Sequence, residues 1–368
     1  MEPHTFILTH PLTGNYGGLL QAYASYMILN TLGYNSYLYH YIPKDLPVAS
    51  FSYLRYYGSC LKALLTPQKG FNPIWRKLYI AKQFTRQLRT HHQAGVTSNS
   101  EAVRYYVGSD QVWRATYCRK MKSVAYYFLD FATSEQRRNS IAYSASFGSD
   151  EWEGSPEETE RCRQLLKDFK AVSVREHSGV NICKDTFDAS AVQMPDPTLL
   201  LEPQEYNRII KGTTTWQPQQ PWLSVYVLDT SPQIAQLLQN CERQLNTPLQ
   251  HLLPHTGATK LRDRIALSVP QWLRLIRDGE YLITDSFHGC VFAIIFNKPF
   301  ICLGNESRGS ARFDSLLSTF DLQDRLITNQ DADTIVQTLT SPIDWDRVNA
   351  IRRSEQKRAF EFLRKNLE

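Results

Sequence analysis

The sequence predicts an α/β protein built from two doubly wound units that face each other across a cleft. Three observations carry this. Short apolar runs alternate with amphipathic runs at helical spacing along most of the chain, the pattern of parallel strands joined by helices. Polar turns, several of them bearing glycine, follow the strands, and they place side chains at the carboxyl edge of a sheet, where open α/β folds bind ligands. The stretch 202–221, rich in Pro, Gln and Thr and weakly periodic, divides the alternation in two. The chain therefore reads as an N-terminal unit over 1–201 with a basic helical insertion at 43–100, a linker at 202–221, a C-terminal unit over 222–342, and a charged helix over 343–368 that packs back on the first unit.

Taken in order, residues 5–9 form the first strand. The turn HPLTGNYGG at 10–18 follows, and its glycines let backbone approach a ligand closely. Leu19, Leu20, Tyr23 and Met27 then recur at helical spacing, and Gly33 is a stop signal. The turn is neither a G-x-G-x-x-G nor a phosphate loop with its lysine, so a dinucleotide or nucleoside triphosphate is not expected there. A tight turn that only lets the helix pack on the sheet fits it too. Residues 36–41 make the second strand. The insertion 43–100 carries Lys44, Arg55, Lys62, Lys69, Arg76, Lys77, Lys82, Arg86 and Arg89 against the single acid Asp45, with Phe51, Tyr53, Tyr56, Trp75 and Tyr79 among them. A basic, aromatic surface of this kind suits the headgroups of an anionic membrane. A solvated basic face with its aromatics turned inward is the plainer reading.

Strands follow at 103–107, ending in GSDQVW, and at 139–144, ending in ASFG. A charged helix over 155–169 opens with Ser155 as N-cap and Glu158 three residues on, a capping box. Residues 171–174 lead to Arg175 and Glu176, and 191–194 lead to Asp196-Pro197-Thr198. In the second unit 222–228 is a strongly apolar strand, followed by a helix at 231–245, a strand at 249–253 and a helix at 270–278. Residues 281–284 form a strand, 291–296 an apolar helix segment and 299–303 a strand. Arg308 and Arg312 then lie in a loop rich in glycine and serine.

Composition narrows the function. A net charge of +5 on 368 residues is mild, no RNA-binding signature or zinc spacing occurs, and nucleic acid is not an expected partner. The seven cysteines are odd in number and widely spaced, without C-x-x-C, which points to free thiols in a reducing compartment. The N-terminus has no signal-peptide pattern, and no apolar run reaches the ~18–20 residues of a membrane span. The expected location is cytoplasmic.

The most informative stretch is YLITDSFHGC at 281–290. His288 stands past a strand end, beside a helix N-terminus whose N–H groups attract anions, although a satisfied turn histidine is equally ordinary. Arg175 follows a strand in the first unit and Arg312 follows one in the second. Each arginine taken singly reads as a salt-bridge partner, as in Arg175 with Glu176. Together with His288 they suit a small phosphorylated acid, because guanidinium groups clamp carboxylate and phosphate through paired hydrogen bonds.

The runs GNYGGLLQAYA, VGSDQVW, IAYSASFG, VSVRE, PDPTLLL, TDSFHG and NKPF, in this order, resemble the polysaccharide pyruvyl transferase family over 5 to about 330. The resemblance implies two Rossmann-like domains in the glycosyltransferase-B arrangement. It implies transfer of pyruvate from phosphoenolpyruvate to two hydroxyls of one sugar as a cyclic ketal, in bacterial surface glycan assembly, with no metal or nucleotide cofactor. It points to His288 as the site histidine and to Arg175 as the donor-binding arginine. Some members carry an arginine two positions before the histidine; here Ser286 stands there, and Arg312 is expected to supply the charge. Asp285 is a candidate to orient His288 or deprotonate the acceptor, though a capping role in the turn explains it as well. Asn15, Ser109, Asp110 and Gln111 are expected on the acceptor side. Expected partners are phosphoenolpyruvate, a sugar acceptor that is lipid-linked or free, and the inner face of the cytoplasmic membrane through 43–100. A nucleotide-sugar-dependent glycosyltransferase of the same architecture stays open as an alternative, as does a glycan-binding relative without activity.

Overall fold

The apolar run after the N-terminus forms β1 (His4–Leu8), and the turn at Asn15 opens α1 (Tyr16–Thr31). This is seen in a computed structural model, which describes residues 4–12, 15–39, 58, 103–211, 221–254, 266–304, 311–328 and 331–368. Nearly all of the basic insertion 43–100, with the membrane contact expected of it, lies outside the described residues. The first unit continues through β2 (Ser36–Leu38), β3 (Val103–Val107), α2 (Ala115–Met121), α3 (Ser134–Arg138), β4 (Ile141–Ala145), α4 (Pro156–Leu166), β5 (Ala171–Val174), α5 (His177–Phe187) and β6 (Val192–Gln193). The six strands are parallel, in the order β2-β1-β3-β4-β5-β6. Helices cover both faces, which is why strands such as Phe6–Ile7–Leu8 are apolar without alternation.

The segment expected as a linker is helical over its first half. Pro203 fits the first turn, and Tyr206 and Ile210, one helical turn apart, are buried in α6 (Pro203–Ile210). Tyr206 packs edge-on against Phe292 of the second unit at 5.0 Å, so this stretch belongs to the core. Residues 212–220 lie outside the described set.

The second unit holds β7 (Leu223–Tyr226), α7 (Pro232–Leu245), β8 (Leu249–His251), α8 (Val269–Asp278), β9 (Tyr281–Thr284), α9 (Phe287–Ile295), β10 (Phe300–Leu303), α10 (Ala311–Thr319), β11 (Leu326–Ile327) and α11 (Ala332–Thr340). Its parallel sheet runs β11-β10-β9-β7-β8. Both sheets share one device. The chain leaves the first strand to one side and returns on the other, so a crevice opens between β1 and β3, and another between β7 and β9, at their carboxyl ends. The turn after Thr9 and the run Gly108–Ser109–Asp110 lie at the first crevice; Leu228, Asp229 and Asp285 lie at the second.

The units share an apolar boundary. Leu19, Leu20, Trp272, Phe292 and Leu363 belong to one continuous buried cluster. Tyr16 stacks on Trp272 at 5.2 Å, and its hydroxyl donates to the Leu267 carbonyl at 2.7 Å. Tyr16→Phe should lower stability by about 1 kcal/mol, the usual worth of such a bond, read as a shifted urea midpoint. The terminal helix α12 (Trp345–Leu367) crosses back to the first unit. Arg352 donates to the Leu201 carbonyl and to Glu202, Gln356 to the Leu199 and Leu200 carbonyls, and Arg358 to the Gln193 carbonyl at 2.6 Å. Among the described residues no helix is long and apolar enough to cross a membrane, and Cys118, Cys162, Cys183, Cys241, Cys290 and Cys302 are buried free thiols.

Candidate functional site

Past the short strand β6 the chain turns at Pro195, and Asp196 enters the seam between the two units with 1% of its surface exposed. Its Oδ1 accepts from the Thr198 hydroxyl at 2.6 Å and the Thr198 N–H at 3.0 Å. Its Oδ2 accepts from the Ser109 hydroxyl at 2.8 Å and from Arg175 Nη1 at 3.1 Å. Arg175, immediately after β5, also donates to the Ser109 carbonyl at 2.9 Å. Its Nε stands 4.0 Å from Glu176, whose Oε1 accepts the N–H groups of Phe147 and Gly148.

The second unit supplies the opposite wall. β9 ends at Thr284, whose hydroxyl accepts the Ser286 N–H at 3.1 Å. Gly289 allows this turn, since a Cβ there would fall 2.3 Å from that hydroxyl. The Phe287 ring lies under the Arg175 guanidinium at 4.2 Å, a cation–π contact across the domain boundary. His288, in the first turn of α9, brings Nε2 to 3.5 Å from Asp196 Oδ2, just beyond a good hydrogen bond. The Nδ1 edge of the same ring rests on Gly17 of α1, where a Cβ would lie 2.1 Å from Nδ1. On the next residue, a Cβ at Gly18 would lie 3.2 Å from Asp110 Oδ2. The paired glycines thus admit a histidine from one domain and an aspartate from the other turn against one helix end.

These contacts set the charges. Burial pushes the Asp196 carboxyl upward, but His288, Arg175 and Thr198 outweigh it and hold the group well below the ordinary carboxylate range. Asp110 is also lowered: burial opposes ionisation, and His10, Arg175, His288 and the Gln111 N–H overcome it. Burial, reinforced by the nearby charge of Arg175, brings the Arg312 guanidinium down to about 10, with Glu176 and Asp110 opposing. A carboxyl whose folded value lies below its unfolded value of ~4 stabilises the fold above that pH and loses the contribution as pH falls toward the folded value. Asp196→Asn should therefore be less stable than the native chain near neutrality, by a margin that narrows steadily in strong acid. Urea unfolding across a pH series checks this.

The structure brings His288, Arg175, Ser109 and Asp110 together, places Arg312 within electrostatic reach of Arg175 and Asp110, and Asn15 beside Gly18, and gives the remaining candidates other partners. Both oxygens of Asp285 accept backbone N–H groups, from Leu228 at 2.7 Å and Asp229 at 2.9 Å. Asp285 thus ties the ends of β9 and β7, and the carboxylate at His288 Nε2 is Asp196. Arg312, expected in a loop, sits in the first turn of α10 and is buried; the preceding Gly-Ser run hid the helix start. Ser286 is the N-cap residue of α9, without a side-chain cap bond. Asn15 caps α1 through a bond from the Gly17 N–H. The Ser109 hydroxyl is taken by Asp196, and Gln111 Oε1 accepts from Arg114 at 3.0 Å. The sequence reading passed over Asp196 and His10. The signal for the first was its place after a strand in PDPT. His10 joins its ring to the Tyr127 hydroxyl and the Gln111 carbonyl.

A small opening to solvent lies between the domains beside this cluster, lined by Arg175, Asp196, Phe287, Ser315, Thr319 and Glu355 among others. Among the described residues no group of three or more His, Cys, Asp or Glu is arranged to hold a metal. The arrangement can grip an anion with guanidinium groups and move a proton with an imidazole, on side chains that are themselves buried.

Comparisons with known proteins follow this geometry. The UDP-N-acetylglucosamine 2-epimerase of Neisseria meningitidis, solved with UDP-GlcNAc, is similar in structure, with a TM-score of 0.50 at 10% identity, covering 100% of this chain and 99% of that one. The S. aureus MnaA–UDP structure gives 0.49 at 12% identity, covering 100% and 98%, and the Rickettsia bellii epimerase 0.47 at 12%, covering 99% and 98%. The first likeness shows the fold, two Rossmann-like domains in the glycosyltransferase-B arrangement. No curated protein matches the chain in sequence. The model of one family, described as polysaccharide pyruvyl transferase, matches residues 15–307.

Proposed function

Since the chain belongs to the polysaccharide pyruvyl transferase family, we propose that it transfers pyruvate from phosphoenolpyruvate to two hydroxyls of one sugar in a surface glycan or its precursor, closing a cyclic ketal. One observation carries this reading. His288 and Arg175, from opposite domains, converge on a single oxygen of Asp196, at 3.5 and 3.1 Å.

The residues divide the work. Arg175 and Arg312 offset the charge of the donor's carboxylate and phosphate, a stabilisation that is strong in a site shielded from water. His288 takes the proton of the first sugar hydroxyl and passes it to the donor's methylene carbon, so that the adjoining carbon becomes an oxocarbenium-like centre. The oxygen of that hydroxyl adds there. The carbon–oxygen bond to phosphate then breaks, the second hydroxyl adds, and its proton leaves with the phosphate. Asp110, with its Oδ2 beside the first turn of α1, and Asn15 lie where the acceptor hydroxyls would enter.

Two features separate this from the nucleotide-sugar reading. The backbone N–H groups of Leu228 and Asp229, at the crevice of the second sheet, already donate to Asp285, which weighs against a diphosphate held by those two groups. The charged groups gather instead between the domains. Incubation with phosphoenolpyruvate and candidate synthetic or lipid-linked glycosides tests the proposal: phosphate release should track a mass gain of one pyruvyl ketal. Turnover of a uridine-diphosphate sugar with no consumption of phosphoenolpyruvate would overturn it. A lipid-linked acceptor, met at the inner face of the cytoplasmic membrane through the basic segment 43–100, completes the proposal. Charge reversal in that segment should weaken binding to anionic vesicles, and unchanged binding would remove the membrane part alone.

A further inference from the structure

We propose that Asp196 is the positioning residue of His288, fixing its imidazole with the proton on Nε2 and leaving Nδ1, at the first turn of α1, as the atom that exchanges protons with substrate. This rests on the reading of His288 as the proton-transfer group.

The argument begins with the acceptor capacity of Asp196. The Thr198 hydroxyl and N–H fill Oδ1, and the Ser109 hydroxyl and Arg175 Nη1 approach Oδ2. Every neighbour donates, so the group is held as a carboxylate and offers no proton to a ring nitrogen. The nitrogen facing Oδ2 at 3.5 Å must then be an N–H, and this nitrogen, Nε2, is buried with no hydrogen-bond partner. A neutral imidazole protonated there carries its lone pair on Nδ1. The Nδ1 edge meets Gly17, at the N-terminal end of the sixteen-residue helix α1. Gly17 has no side chain because the ring occupies that space. The donor and acceptor would meet Nδ1 at this helix end, with Asp110 on the neighbouring turn of backbone.

Asp285, three residues before His288, accepts the Leu228 and Asp229 N–H groups on its two oxygens. Asp285 points to the β7 end, so the histidine is oriented from across the domain boundary, and its working form exists only when the domains are together.

The test is nitrogen-15 spectroscopy of the full chain labelled at histidine, with the His288 signals identified by their loss in His288→Gln. Near neutral pH the native chain should show Nε2 as the protonated nitrogen and Nδ1 as the bare one. Asp196→Asn should abolish that preference and lower kcat for pyruvyl transfer. Gly17→Ala places a methyl where the ring sits, while alanine suits a helix; it should keep the helical circular dichroism, displace the His288 signals and lower kcat by ~10²-fold, the scale of a 1 Å misplacement. If Asp196→Asn does not fold, the native spectrum and Gly17→Ala still decide. A native ring protonated on Nδ1, or an Asp196→Asn chain that keeps both the Nε2 proton and the native kcat, overturns the proposal. A native chain with the Nε2 proton that never consumes phosphoenolpyruvate overturns the function and leaves the positioning intact.

Discussion

His288→Ala should cut pyruvyl transfer by ~10²-fold or more, the usual cost of losing a general acid or base, while the protein remains folded. The fold should survive because the ring is not part of the apolar core. It touches Gly17 and the edge of Asp196, and Asp196 keeps its bonds from Ser109, Thr198 and Arg175 without it. Phosphate release from phosphoenolpyruvate in the presence of acceptor measures the loss, and thermal melting measures the fold. Turnover near the native rate in a purified, folded variant would discard the assignment.

Arg175→Ala should have the largest effect on stability, about 3–5 kcal/mol, and should raise the donor's apparent KM more than the acceptor's. Arg175 is 4% exposed and sits between Asp196 and Glu176, both buried. Truncation leaves two carboxylates in the interior without their cation, and breaking such a pair from one side costs this much because the remaining charge cannot reach water. The Phe287 ring also loses the guanidinium stacked on it, so the two domains lose a direct contact. Arg175→Lys should recover part of the stability and little of the donor binding, since an ammonium keeps the charge but not the planar fork. Urea unfolding and steady-state kinetics read the two effects separately. A donor KM that stays fixed while the acceptor's moves would assign Arg175 to the acceptor.

The sequence made much of this visible, for definite reasons. Strands such as β3, β5 and β9 were found at their observed bounds because buried parallel strands are uninterrupted apolar runs. The helix α4 was marked by its capping box at Ser155 and Glu158, both halves of which form. His288 and Arg175 were legible because each follows a strand, and position past a strand end is a property of the chain itself. Asp196 was not, because what makes it central is the convergence of Ser109, Arg175 and His288, three residues far apart in sequence. Its strand β6 is two residues long, with Val192 exposed, and left little periodic signal. Asp285 was visible as a polar residue past a strand end, but its bonds to the Leu228 and Asp229 N–H groups were not, because Leu228, past the end of β7, lies 57 residues earlier in the chain. The helix α6 was concealed by Pro and Gln, which read as linker until Tyr206 and Ile210 are seen one turn apart.

The return of α12 has a mechanical consequence. The lobes are joined once by the chain near residue 211 and again by α12, which starts from the second lobe and ends where Arg104, in β3 of the first sheet, holds the Leu367 carbonyl. Two tethers fix an axis, as two hinges do for a door. Opening of the seam about that line would part Phe287 from Arg175 and His288 from Gly17 in the same stroke, and a crosslink between α12 and the first lobe should leave such a swing free.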